Sequence, residues 1–66
     1  EKSREIQRAI SKLSEKLRTV VVMRFSGEMS YNEIAQQLEL PVGTVKSRLV
    51  AALGKLKETV QEEETP

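Results

Sequence analysis

Thr44, Lys46, Ser47 and Arg48 stand almost side by side and offer hydroxyl, ammonium and guanidinium donors. Such donors bind anions. Lysine and arginine neutralise phosphates or donate to guanine edges. The short hydroxyl side chains reach phosphate or base without blocking a close approach. The same cluster would also serve as an ordinary solvated helix face, and its chemistry alone leaves the two uses level. Catalysis has little to work with here. The chain has no histidine, cysteine or aspartate, so the usual general base, thiolate nucleophile and zinc ligands are all missing. No nucleophile–base pair and no metal cluster can be read from the spacing, and no cofactor is expected.

Charge agrees with an anionic partner without requiring one. The net charge is +1, but Glu62, Glu63 and Glu64 are gathered at the end of the chain. The residues before them hold 11 basic and 7 acidic side chains, which makes a mildly basic body. At 66 residues, 38% hydrophobic and 32% charged, the chain fits one small soluble helical domain with a thin core. No apolar run is long enough to cross a membrane, and Glu1-Lys2-Ser3-Arg4 leads into no signal-type segment. The cytoplasm is the expected compartment.

The elements that must position the cluster follow from periodicity. Ile6, Ile10, Leu13 and Leu17 recur at helical spacing and predict a helix over about 3–13. Ser14 is a suitable N-cap for a second helix over about 15–25. The run Val20-Val21-Val22-Met23 would also suit a buried strand, but no partner strand exists to satisfy its backbone groups. Gly27 is expected to end this helix in the left-handed conformation. Ser30-Tyr31-Asn32-Glu33 matches a capping box and opens a third helix over about 30–38. Leu40-Pro41 stops it, and Pro41 suits the first turn of a fourth helix over about 41–60. That helix carries an apolar stripe of Val42, Val45, Leu49, Ala52, Leu53, Leu56 and Val60. Residues 1–61 are therefore expected to form one all-α, four-helix domain, with residues 62–66 an acidic disordered tail.

The third and fourth helices, joined by a tight turn, make a helix-turn-helix candidate. In that motif the second helix enters the major groove and the first braces it. Gly43, Thr44, Lys46, Ser47 and Arg48 fall on the positions expected to face outward early in the second helix. Gly43 either lets a helix or a DNA backbone come close or is simply tolerated in a first turn, at a cost of roughly 1 kcal/mol. Ser30 and Glu33 read as structural caps, and Tyr31 by chemistry alone as a rim residue. Arg18 and Arg24 are expected to pair with Glu33.

Two segments sharpen this reading. Ser14-Glu15-Lys16-Leu17-Arg18-Thr19-Val20-Val21-Val22-Met23-Arg24 resembles the opening of region 4 in bacterial sigma factors. Ser30-Tyr31-Asn32-Glu33-Ile34-Ala35, followed by Leu40-Pro41-Val42-Gly43-Thr44-Val45-Lys46-Ser47-Arg48-Leu49, is similar to the helix-turn-helix of that region in the extracytoplasmic-function (ECF) class. The resemblance covers roughly residues 6–57. It implies a winged-helix-like, sigma region 4 type of fold and recognition of double-stranded promoter DNA at the minus-35 element. By position, Lys46, Ser47, Val50 and Ala51 look like the groove-facing set. Thr44, Arg48 and Tyr31 are similar to positions near phosphates. The family also docks on the flap of the RNA polymerase β subunit, and many members are sequestered by an anti-sigma factor. A bacterial, cytoplasmic monomer is implied.

Three departures mark this chain. Val50-Ala51-Ala52-Leu53 replaces the His or Phe followed by Arg-Ala-Arg that is usual after Leu49 in the family, removing two basic residues. Glu39 stands where the turn often has glycine, so left-handed backbone there would be strained. Ser14 replaces a common proline. The first departure keeps an alternative open: a sigma-like module that binds polymerase or an anti-sigma factor and reads DNA weakly. An exposed apolar face at Val50, Ala51 and Ala52 would favour it. A dimeric helix-turn-helix regulator of the LuxR type shares a similar four-helix unit and is the further alternative.

Overall fold

The computed structural model describes the backbone of residues 2–64 and the side chains of residues 4–59. Its elements are α1 (Lys2–Ser11), α2 (Glu15–Val21) with a π-helical extension (Val22–Ser26), α3 (Tyr31–Leu38) and α4 (Val42–Glu64). No strand occurs among the described residues, so the helix-turn-helix carries no wing there.

The core is small and aliphatic. Leu13, Val20, Val21, Ile34, Val45, Leu49 and Ala52 form one buried cluster, with Leu17, Met29, Leu38 and Leu40 packed around it. Val20, Ile34 and Val45 are fully enclosed. Each such side chain contributes about 1.5–3 kcal/mol on leaving water. Two adjacent valines can both be buried because α2 is covered by neighbours on more than one side, with α1 and α4 both packed against it. Burial of this kind overrides the weak helix propensity of consecutive β-branched residues.

In the first helix the inward residue is Ala9 rather than Ile6, which is half exposed. A methyl group there lets α1 lie close. Ser14 caps α2 through its hydroxyl, which accepts from the Leu17 N–H at 3.4 Å. The α2 helix does not stay regular to residue 25. From Val22 it widens into a π turn that ends where the Gly27 N–H donates to the Val22 carbonyl at 3.0 Å.

Gly27 itself is right-handed, at φ −84, and the left-handed residue is Glu28, at φ 52. The need for glycine is steric. A Cβ at position 27 would sit 2.8 Å from the Met23 carbonyl oxygen, which already accepts the Met29 N–H at 3.1 Å.

The turn into α4 is similarly tight. Glu39 is left-handed, at φ 56 and ψ 47, as the departure from glycine led one to ask. That geometry costs a residue with a Cβ roughly 1–2 kcal/mol. It is held by Leu40 N–H donating to the Ala35 carbonyl at 2.9 Å, which closes the end of α3. Pro41 lies just outside α4 rather than in its first turn. Its carbonyl accepts from the Thr44 and Val45 N–H groups at 3.0 and 3.3 Å.

The apolar stripe of α4 is narrower than its sequence suggests. Val45, Leu49 and Ala52 are buried, whereas Val42 is 37% and Leu53 48% exposed. Val42 stands at the open end of the helix, and Leu53 is turned away from the buried line. The Val60 side chain lies outside the described residues. Helical backbone runs on to Glu64, so the acidic residues Glu62 to Glu64 continue α4 instead of leaving it near residue 60. Residues 65 and 66 lie outside the described part.

Candidate nucleic-acid interface

The motif is anchored from its first residue. Ser30 accepts the Glu33 N–H at 3.1 Å, and the Ser30 N–H donates to the Glu33 carboxylate at 2.8 Å. This reciprocal capping box holds the Glu33 carboxyl below the ordinary carboxylate range, through the Ser30 backbone N–H first and its hydroxyl second. The box fixes the backbone on either side of Tyr31, the first residue of α3.

Glu33 is thus engaged locally, and the expected pairing with Arg18 and Arg24 does not occur. Arg18 donates to the Ser11 carbonyl at 3.4 Å. Arg24 donates to the Met29 carbonyl at 2.9 Å, which draws its guanidinium across the base of the motif. There it lies 5.1 Å from the centre of the Tyr31 ring.

At roughly 100° per residue, α4 divides into two sides. Val45, Leu49 and Ala52 form the buried line. The outward arc carries Gly43, Ser47, Val50, Ala51 and Gly54, all exposed. A Cβ added at Gly43 or Gly54 would meet nothing within 4 Å, so neither glycine is required by packing inside the domain. The close approach of another helix to Gly43, one of the two uses its sequence suggested, is therefore absent from the fold. Lys46 is exposed along one edge of this arc, and its ammonium lies 6.0 Å from the Tyr31 ring centre. Thr44 and Arg48 occupy the other edge and are half-buried. Arg48 lines a shallow cleft with Glu15, Lys16, Thr19, Leu38 and Leu40.

The structure thus brings Tyr31 and Lys46 together, and places Ser47, Val50 and Ala51 on one open surface beside them. Arg48 and Thr44 flank that surface on the far edge. Arg24 joins the Tyr31 side of the site, where its expected role was a structural pairing with Glu33. Its position depends on the π turn and the left-handed Glu28, and neither has a signature at those residues.

The departure at residues 50–53 is also clarified. Ala52 belongs to the core, while Val50 is 71% exposed and Leu53 48%. A second surface, an apolar groove lined by Ile6, Ala9, Ile10, Val21, Phe25 and Leu56, shares no residue with the cationic one. Phe25 is 59% exposed at its rim. Among the described residues no three acidic or imidazole side chains are placed to hold a metal ion, and no helix is long and apolar enough to cross a membrane.

Comparison with known proteins agrees with this arrangement. The chain is 49% identical over 49 residues to the ECF RNA polymerase sigma factor SigW of Bacillus subtilis, covering 74% of the chain and 26% of that protein. It is 39% identical over 51 residues to the ECF RNA polymerase sigma factor RpoE of Cereibacter sphaeroides, covering 77% of the chain and 28% of that protein. It is 41% identical over 54 residues to the ECF RNA polymerase sigma-E factor of Escherichia coli K12, covering 82% and 28%. The chain thus spans about a quarter of the length of these relatives. Residues 3–56, which include the capping box, the left-handed turn and the small-residue arc of α4, match the family described as Sigma-70, region 4, and the chain belongs to that family.

Proposed function

We propose that this domain binds double-stranded promoter DNA at the minus-35 element, as one part of a longer bacterial sigma factor acting in the cytoplasm. The observation that carries the reading is the outward arc of α4: small side chains along its centre, with Lys46 on one edge and Arg48 on the other. An α-helix with its side chains is about 10–12 Å across and the major groove about 12 Å wide, so bulk on the entering face is poorly tolerated.

In this reading Ser47, Val50 and Ala51 meet the base edges. The Val50 methyls suit the methyl group of thymine, and the Ser47 hydroxyl suits a base edge or a phosphate. Lys46 reaches a guanine edge or the backbone. Thr44 and Arg48 serve the phosphates, and Tyr31 stands beside Lys46 at the margin of the contact. Function is recognition, with no bond made or broken. Because two basic residues usual in the family are replaced, affinity rests on fewer phosphate contacts, each contributing about 0.9 to the slope of log K against log salt.

Selection from a randomised duplex pool at two salt concentrations tests the proposal. One short enriched site, lost with Lys46→Ala or Ser47→Ala, is the expected result. Retention without enrichment would reduce the role of α4 to phosphate binding, and no retention at the lower salt would refute DNA recognition by this domain.

A protein contact is favoured by a separate observation, the apolar groove rimmed by Ile6 and Phe25. The relatives are named as RNA polymerase sigma factors. We assign the groove to the polymerase β flap, with the domain acting as a monomer. An anti-sigma factor competing for the same groove would be a form of inhibition.

A further inference from the structure

We propose that Tyr31 is a positioning residue for Lys46, and that its aromatic ring, rather than its hydroxyl, tunes how this domain reads DNA. The inference rests on the DNA-binding reading above and adds a mechanism to it. Two cations converge on this ring. The Arg24 guanidinium carbon is 5.1 Å and the Lys46 ammonium 6.0 Å from its centre. Both distances fall within the range in which the negative face of an aromatic ring attracts a cation. The three residues come from three different elements: the π turn, α3 and α4.

The ring stands on a fixed backbone. Its backbone is set by the capping box, in which Ser30 and Glu33 bond reciprocally on either side of it at 2.8 and 3.1 Å. The residue is 39% exposed, which leaves the ring open to a cation from the neighbouring helix. Arg24, one of its companions, is fixed independently by the Met29 carbonyl at 2.9 Å.

Lys46 is the mobile partner. It is exposed, and the described contacts give it no hydrogen bond, only the ring. A free lysine has many rotamers to lose when it docks. A ring that already restrains the ammonium at the edge of the groove-facing arc reduces that loss, and so tightens the bound state. It also holds two positive charges at one ring without neutralising either, because the ring adds no counter-charge.

A hydroxyl bonded to a phosphate would make a different prediction, and the two are separable. The experiment uses this 66-residue chain and the duplex enriched from the random pool. The variants are Tyr31→Phe, Tyr31→Leu, Lys46→Met and the double variant Tyr31→Leu with Lys46→Met. Proton chemical shifts of the Lys46 ε-methylene in the free chain report whether the ring shields it, independently of DNA. We expect upfield shifts in the parent chain and in Tyr31→Phe, and their disappearance in Tyr31→Leu. Binding should be unchanged in Tyr31→Phe. It should weaken roughly two- to fivefold in Tyr31→Leu, the range of an exposed cation–aromatic contact, and weaken no further when Tyr31→Leu is added to Lys46→Met.

Unshifted Lys46 protons in the parent chain would overturn the inference, even were Tyr31→Leu to fail to fold. So would equal losses in Tyr31→Phe and Tyr31→Leu, or a Tyr31→Leu loss that persists beside Lys46→Met. Failure of the DNA-binding reading would be seen separately, as absence of any enriched duplex for the parent chain.

Discussion

The cationic arc of α4 and the apolar groove beside α1 are built on the same seven-residue core, yet they present opposite chemistry. The arc has small side chains, glycines where an added Cβ would meet nothing, and cations at its margins. The groove is apolar throughout, with Phe25 and Ile6 more than half or about half exposed at its rim. A thin domain has little interior to spare, so residues that would be core in a larger protein become surface here. On the function proposed above, the difference teaches how one fold can serve two kinds of partner by segregating them. DNA needs access for a helix and positive charge. A protein needs uncovered apolar area.

Removing what the surfaces share should break both at once. Ile34→Ala hollows the core beneath the motif, where Ile34 is fully buried, and should cost about 2–5 kcal/mol of stability. Urea denaturation should show the loss, and in a domain this small it should abolish DNA binding and groove function together. Retained DNA binding at reduced stability would mean that α4 folds and docks without the core.

Substitutions confined to one surface should separate them. Lys46→Ala should weaken binding to the selected duplex by about 1–3 kcal/mol if Lys46 reads a base, and should lower the salt slope by about 0.9 if it meets a phosphate. Phe25→Ala should leave both quantities unchanged while weakening retention of a β-flap fragment. A DNA defect in a folded Phe25→Ala chain would mean that the two surfaces are not independent.

The two exposed glycines of α4 sharpen the point. Gly43→Ala and Gly54→Ala each add a methyl group to open space and should each stabilise the helix by about 1 kcal/mol, read as higher thermal midpoints. DNA should distinguish them. In the proposed docking Gly43 sits at the end that enters the groove, so Gly43→Ala should weaken binding even as it stabilises the fold. Equal binding by both variants would show that DNA does not approach position 43 closely.

The smallest effect concerns pH. The Glu33 carboxyl is held below its ordinary range by the Ser30 cap. Its contribution is therefore complete above the ordinary carboxylate pKa and is lost as pH falls through the lowered value. Thermal midpoints of the parent chain should drop in acid more steeply than those of Glu33→Gln, which keeps a capping acceptor without the charge. Parallel acid limbs would remove Glu33 as a source of pH dependence.

Much of this was legible in the sequence, for identifiable reasons. Ser14, Ser30 and Glu33 announced helix starts because capping is local chemistry, and the structure places each at its cap. The run Val20-Val21-Val22 was readable as helix by elimination of a partner strand. What could not be read depends on backbone contacts made across several residues. Gly27 carries the familiar mark of a left-handed helix end, but the left-handed residue is its neighbour Glu28, and glycine is needed because the Met23 carbonyl passes so close. The π turn likewise rests on backbone bonding, and Arg24, which stands in it, meets Met29 and Tyr31 instead of Glu33. In α4 the spacing named Val42 and Leu53 as inward, though the core ends before it reaches them. The resemblance supplied the groove-facing positions, and the small arc around them became visible only once Gly43 and Gly54 could be seen to touch nothing.

The most direct test of the account is a titration of the isotopically labelled chain with the selected duplex, following every backbone amide by NMR. The account predicts the largest changes at Tyr31 and from Gly43 to Ala51, with Ile6, Phe25 and Leu56 nearly still. Changes centred on the groove residues, with Ser47 and Ala51 unmoved, would contradict it.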